Sequence, residues 1–287
     1  MTSSPAVAVV LPAGPGDDVA DTIESVVRYT NTPRLIVVVD DRHRGDADVW
    51  QSLSGDVRVV PAPPAPAGTR GGLWYKVAAG YRYALAHLDF ALLLRLDADA
   101  LMIEEGSVEL AAARFDQEGD DVGLLGSYRT GPDGLPRSFA EAAALVRADC
   151  GTRASFRPRT RRALRAIVAA AQANGYEPGE HVLGAACFQR RTAVDAIAAH
   201  GWLEAKELKH SQLADDHLLS LLTVAAGFRI ADFGRPGDPL ALQWKGLPAA
   251  PEELLERGAR IVHSVRSYED RGEAEIREFF ARERRST

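Results

Sequence analysis

The sequence predicts an α/β fold with a mostly parallel central sheet flanked by helices. Three observations carry that prediction. Short β-branched runs recur through the first hundred residues, helix-period stretches separate them, and the runs end in acidic or glycine-proline turns. Uninterrupted apolar strands are covered on both faces, as in parallel sheets sandwiched between helices. The 287 residues suffice for one large domain, and 46% hydrophobic with 26% charged residues fits a globular core.

Each element has its own reason. Residues 6–11 are small and β-branched and end at a Pro-Ala-Gly-Pro-Gly turn, which predicts a first strand. Asp17 and Asp18 suit a helix N-terminus, and Ile23, Val26 and Val27 share one helical face. Residues 35–39 and 57–60 read as the second and third strands, the latter running into a proline-rich segment at 61–68 that excludes helix. Residues 73–87 predict a helix, and 90–96 a fourth strand ending at Asp97 and Asp99. The character then changes. Residues 136–179 are rich in alanine and arginine with helical periodicity, which predicts a helical insertion. After it come a small apolar stretch at 184–188, a helix from Asp215 and a strand near 229–233. A last helix is expected at 272–285, with Ile276, Phe279 and Phe280 on one side. The chain thus divides into an alternating first half at 1–134, the helical insertion at 135–180, and a remainder at 181–287 that completes the same domain.

Composition narrows the function. With 34 Lys+Arg against 40 Asp+Glu, the net charge of −6 argues against nucleic acid as the main partner. Cys150 and Cys187 cannot make a disulfide framework, and no run is long enough for a transmembrane segment, so the chain reads as cytoplasmic. Ligands of open parallel sheets sit outside the carboxyl ends of the strands, where Asp40, Asp41, Asp97 and Asp99 fall. Two carboxylates at i and i+2 on a strand-end turn can hold a hard divalent cation while diphosphate oxygens complete its shell. A second Asp-x-Asp triplet, Asp46 and Asp48, has no strand before it.

The ordered text Ile36–Asp41, Lys76 in its Trp-Tyr-Lys setting, Leu94–Asp99, Gly184–Arg191 and Ala214–Ser220 resembles family-2 glycosyltransferases, which have the GT-A fold. The resemblance implies a metal-dependent transfer of a sugar from a nucleotide-diphosphate donor to a hydroxyl acceptor. It implies that Asp40 or Asp41 meets the base, Asp97 the ribose or metal, and Asp99 the metal, with Mn²⁺ or Mg²⁺ as the divalent cation. Asp216, or its neighbour Asp215, is then the general base of an inverting displacement. His263 matches a late histidine that completes the metal shell. Pro12 stands where the family usually has a polar residue, and the Gln-x-x-Arg-Trp motif of processive members is not present, Gln243-Trp244-Lys245 being the nearest text.

Arg70 and Lys76 flank Gly71-Gly72 and are candidates to grip the diphosphate, the glycine pair being read as a hinge. Arg153, Arg157, Arg159, Arg161, Arg162 and Arg165 form a basic run without an acid, read either as a solvated helix face or as contact for a phosphorylated acceptor, an anionic lipid surface or a nucleic acid, the acceptor being favoured by its place in the insertion. The alternatives weighed are a sugar nucleotidyltransferase and a nucleotide-sugar-binding module without turnover.

Overall fold

The computed structural model describes residues 6–14, 16–41, 46–151 and 156–286. The first half alternates as the sequence predicts: β1 (Val7–Ala13), α1 (Val19–Tyr29), β2 (Arg34–Asp40), α2 (Asp46–Leu53), β3 (Val57–Pro61), α3 (Gly71–His87) and β4 (Leu92–Leu96). β5 (Ala100–Met102), α4 (Ser107–Glu118) and β6 (Val122–Gly126) follow, then the helices α5 (Ala140–Cys150) and α6 (Pro158–Ala173). The chain returns through β7 (Ala186–Arg190), α7 (Arg191–Ala199), α8 (Asp215–Ala225) and β8 (Arg229–Asp232). It ends in β9 (Leu240–Leu242), α9 (Pro251–Glu256), β10 (Ile261–His263), the small pair β11 (Ser267–Tyr268) and β12 (Arg271–Gly272), and α10 (Glu273–Ser286).

The main sheet has the order β3-β2-β1-β4-β7-β6-β8. All its pairings are parallel except those of β7, which runs antiparallel to both β4 and β6. Periodicity reports a strand but not its direction, so this reversal is not visible in the text. Alternate residues of β1 and β2 feed two separate cores. Ala8, Val10, Val37 and Val39 pack under α3 and α8, while Val7, Val9, Ile36 and Val38 pack under α1 and α4. Both faces being covered is why these strands read as continuous apolar runs.

The insertion is not a separate body: Leu164, Ile167 and Ala171 of α6 share the core of α3 and α8. The Gly71-Gly72 pair, read from sequence as a hinge, instead forms the first turn of α3. A Cβ on Gly71 would lie within 2.1 Å of the Leu208 carbonyl oxygen, so the position is packed tightly rather than free to swing. Asp46-Ala-Asp48 is the first turn of α2 and not a strand end. Arg153 and Pro15 lie outside the described residues.

A three-stranded sheet, β5-β10-β9, closes the far side of the main sheet's carboxyl edge. β10 pairs with β5 so that His263 lies opposite Ala100, one residue past Asp99. That pairing brings the last third of the chain to the Asp-Ala-Asp turn.

Candidate functional site

The site assembles at the carboxyl ends of β1, β2 and β4, around a cleft of about 630 Å³. Pro12, Gly14, Asp17, Asp41, Lys76, Asp97, Asp99, His263, Ser264 and Arg266 all line it. Lys76 reaches the edge because Gly80, one helical turn later, lets α3 lie against the sheet. A Cβ there would sit 2.4 Å from Val10 Cγ1. The buried Lys76 ammonium donates to the Ala13 carbonyl and, at 2.7 Å, to Asp41. Asp40 is buried behind this layer. Arg70 caps α3 on the exposed surface and does not line the cleft.

Opposite Lys76, the Asp97, Asp99 and His263 ligand atoms all lie within 4.8 Å of one another. His263 Nε2 is 3.2 Å from Asp99 Oδ1 and 3.8 Å from Asp97 Oδ2. His263 Nδ1 is held 2.8 Å from the Gln243 carbonyl, which fixes a proton there and turns Nε2 towards the carboxylates. A contact of this kind orients metal-bound histidines. Ser264 Oγ at 2.8 Å and Arg266 Nε at 2.7 Å both donate to the other Asp99 oxygen, Oδ2, leaving Oδ1 facing His263. Two carboxylates and an oriented imidazole therefore fit a hard or borderline divalent cation.

The electrostatics agree with crowded acids. Burial pushes Asp97 above the usual carboxylate range, with the Arg95 charge opposing it. Burial acts the same way on Asp99, but hydrogen bonds from His263, Arg266 and Ser264 win and hold it well below that range. Burial would lower His263, yet the hydrogen bond to Asp99 and the charges of both aspartates raise it.

A second cluster lies beyond Arg95. This fully buried arginine bridges Asp97 at 2.8 Å and Asp215 at 2.6 Å, and also donates to the Gly184 carbonyl. Burial lifts Asp215 to about 6, against the pull of Arg95. Asp216 turns the other way. Its Oδ1 takes hydrogen bonds from the His217 backbone at 2.8 Å and from His217 Nδ1 at 2.6 Å. These outweigh burial and bring Asp216 down to about 2. The His217 ring stacks on His181 at 4.0 Å, and Arg137 approaches His181 Nε2 at 3.1 Å. Burial first, then the His217 charge, depresses His181 to about 4. Only a glycine fits at 184, where a Cβ would lie 2.9 Å from Asp216 Cβ; the neighbouring Ala185 carbonyl accepts from the Asp97 amide at 2.8 Å. Asp216 is thus two short contacts from the Asp-Ala-Asp turn.

Sequence reasoning named Asp97, Asp99, His263, Lys76, Asp215 and Asp216, and the fold places them in these two adjoining clusters. It missed Arg95, Asp17, Ser264 and Arg266, and the exposed Trp244 at the cleft wall. Arg95 carried one signal, a lone arginine in an otherwise apolar strand.

No family model matches the sequence, and no curated protein matches it. Solved structures align over nearly the whole chain. One is described as the galactosyltransferase LgtC in complex with donor and acceptor sugar analogs, at 13% identity over 97% of this chain and 95% of that one, with a TM-score of 0.49. Its active-site mutant Q189E aligns with the same identity and coverage at 0.48. A glycosyltransferase involved in glycosylation of the major capsid of PBCV-1 aligns at 10% identity over 97% of this chain and 100% of that one, with a TM-score of 0.48. The functional reading therefore rests on the geometry of the site itself.

Proposed function

We propose that this chain is a metal-dependent glycosyltransferase of GT-A type that moves a sugar from a nucleotide-diphosphate donor to a hydroxyl acceptor with inversion. One observation carries the reading: Asp97, Asp99 and an oriented His263 converge at the carboxyl edge of a parallel sheet, across the cleft from a buried lysine. Bound there by Asp97, Asp99 and His263, a divalent cation such as Mn²⁺ or Mg²⁺ supplies Lewis-acid neutralisation of the departing diphosphate.

The protein's own groups do the rest. Lys76 and Arg266 place positive charge on two walls of the cleft, where a diphosphate needs it. Asp41 and Pro12, at the ends of β2 and β1, border the space for the nucleoside. Asp215 is committed to Arg95 and serves to position it, so Asp216 is the base. Its Oδ2 has no hydrogen-bond donor among the described residues and is free to take the acceptor proton. His217 keeps Asp216 ionised through the acid range. The acceptor oxygen bonds to the anomeric carbon as its proton passes to Asp216, and the diphosphate leaves with the electron pair of the broken bond.

A thermal-shift panel of nucleotide sugars with and without Mn²⁺ tests the reading. The matching donor at about 100 times its dissociation constant is expected to stabilise the protein by roughly 2.7 kcal/mol. The gain should need the metal and vanish in Asp99→Asn. Product NMR should show an inverted anomeric centre. Release of pyrophosphate from a nucleoside triphosphate and a sugar phosphate would replace the reading by nucleotidyl transfer.

A further inference from the structure

The arginine-rich helix is a strongly charged feature that the transfer chemistry does not use. α6 spans Pro158–Ala173 without a single acidic residue. Thr160, Leu164, Ile167 and Ala171 face the core. Arg159, Arg162 and Arg165 are exposed and Arg161 half-exposed, and the small exposed residues Ala166, Ala169 and Ala173 continue the outward face beyond them. Two arginines of the run have structural duties. Arg157 turns inward to the His210 carbonyl, and Arg165 Nε donates to the Cys150 carbonyl at 2.8 Å. The side chains of Arg159, Arg161 and Arg162 make no hydrogen bond or ion pair among the described residues. Just before the helix, Phe156 is 97% exposed, more than any other large apolar side chain described.

We infer that this outward face of α6, with Phe156, is a docking surface for an anionic lipid bilayer. The shape selects the occupant. At 100° per residue the four outward arginines fan over roughly 160° of the helix surface, so they cannot converge on one phosphate. A plane of many headgroups engages such a fan, each cation adding its share, while an exposed phenyl ring enters the headgroup boundary. A nucleic-acid strand wants a groove with aromatic platforms along it, whereas this face is convex and its aromatic stands at one end. The groove of about 500 Å³ on one flank of α6 carries Glu204 and Glu207 and marks the acidic limit of the patch. The inference is independent of the transfer chemistry. Its geometry does tie the two, because Thr160 Oγ1 bonds the Glu207 carbonyl at 2.9 Å and Gly71, opening α3, bonds the Ser211 carbonyl at 3.0 Å. The helix that carries the docking face thus rests its opposite, buried side on the segment that seats the helix carrying Lys76.

The test is sedimentation of the full chain with vesicles of phosphatidylcholine alone and of phosphatidylcholine with phosphatidylglycerol. Binding is expected to the anionic vesicles only, and to weaken as salt rises. The triple variant Arg159→Gln, Arg161→Gln, Arg162→Gln should partition roughly 100-fold less, at about five-fold per arginine. Phe156→Ala should lose several-fold. Both variants should keep the wild-type melting midpoint, since the side chains removed make no hydrogen bond or ion pair among the described residues. Equal binding to neutral vesicles, an unaltered triple variant, or single-stranded RNA that binds and is not displaced by the vesicles would each overturn the inference.

Discussion

Two clusters of carboxylates and histidine stand on either side of Arg95, and they are built to opposite ends. In the cleft, Asp97, Asp99 and His263 point acceptor atoms at a common space, with their outer atoms tied back by Ser264, Arg266 and the Gln243 carbonyl. Beyond Arg95, Asp216, His217, His181 and Arg137 hand hydrogen bonds and stacking contacts from one to the next. His181 Nδ1 lies 2.8 Å from the Gly179 carbonyl, so its Nε2 accepts from Arg137. That nitrogen already faces a cation and is a poor metal donor, although His181, Asp216 and His217 are as close together as the first three. Proximity of ligand types is therefore not enough. What separates the two clusters is what their ligand atoms face: His263 Nε2 faces the two carboxylates, whereas His181 Nε2 faces a guanidinium.

The strongest way to break this contrast is to remove the proposed base alone. Asp216→Asn should lower kcat by roughly 10²–10⁴. The metal-dependent donor stabilisation should stay intact, because the cleft triad is untouched; joint loss would show the clusters to be one site. Next in size is the bridge. Arg95→Met leaves Asp215 and Asp97 buried without their shared cation, and should destabilise the fold by about 3–5 kcal/mol in urea denaturation at neutral pH.

Acid sharpens the relay side. His181 falls from 6.5 to about 4 in the folded protein, so below pH 6.5 the unfolded chain takes up a proton that the folded chain refuses. Stability is thus lost as pH falls from about 6.5 towards 4, by up to roughly 3 kcal/mol from this group. Burial of Asp215 works against it, since a carboxyl raised to about 6 favours the folded state as pH falls. His181→Gln should raise the denaturation midpoint at pH 5 relative to that at pH 7, compared with wild type. The smallest expected effect is at the wall of the cleft. Trp244 is 78% exposed with Lys245 4.8 Å above its ring. Trp244→Ala should raise KM several-fold, about 1 kcal/mol of lost stacking, with kcat and melting midpoint unchanged.

Strand ends were the most legible part of this molecule. Asp97, Asp99 and His263 could be placed because each follows an apolar run, and a run's end is a local property. The partners that tune them were not legible, because chain closure over long separations creates them: Ser264 and Arg266 meet Asp99 across 165 and 167 residues. Arg95 reads as a strand residue, and only the packing of α8 against the sheet shows that it meets Asp215. The glycine pair at 71–72 misled for the same reason. Local text suggests freedom, and the Leu208 backbone removes it.

The backward course of β7 has a consequence for how such a molecule can change. In a sheet of parallel strands every loop at the reactive edge leaves a strand, and the chain must cross back before the next begins. Because β7 starts beside the end of β4, with Ala186 opposite Leu96, the chain arrives at that edge already travelling inward. The 59 residues between Gly126 and Ala186 therefore depart from the reactive edge and return to it without crossing the sheet. That excursion can therefore vary in length without disturbing a strand pairing, except where Leu164, Ile167 and Ala171 anchor it in the core and Arg137 and His181 reach the Asp216 cluster.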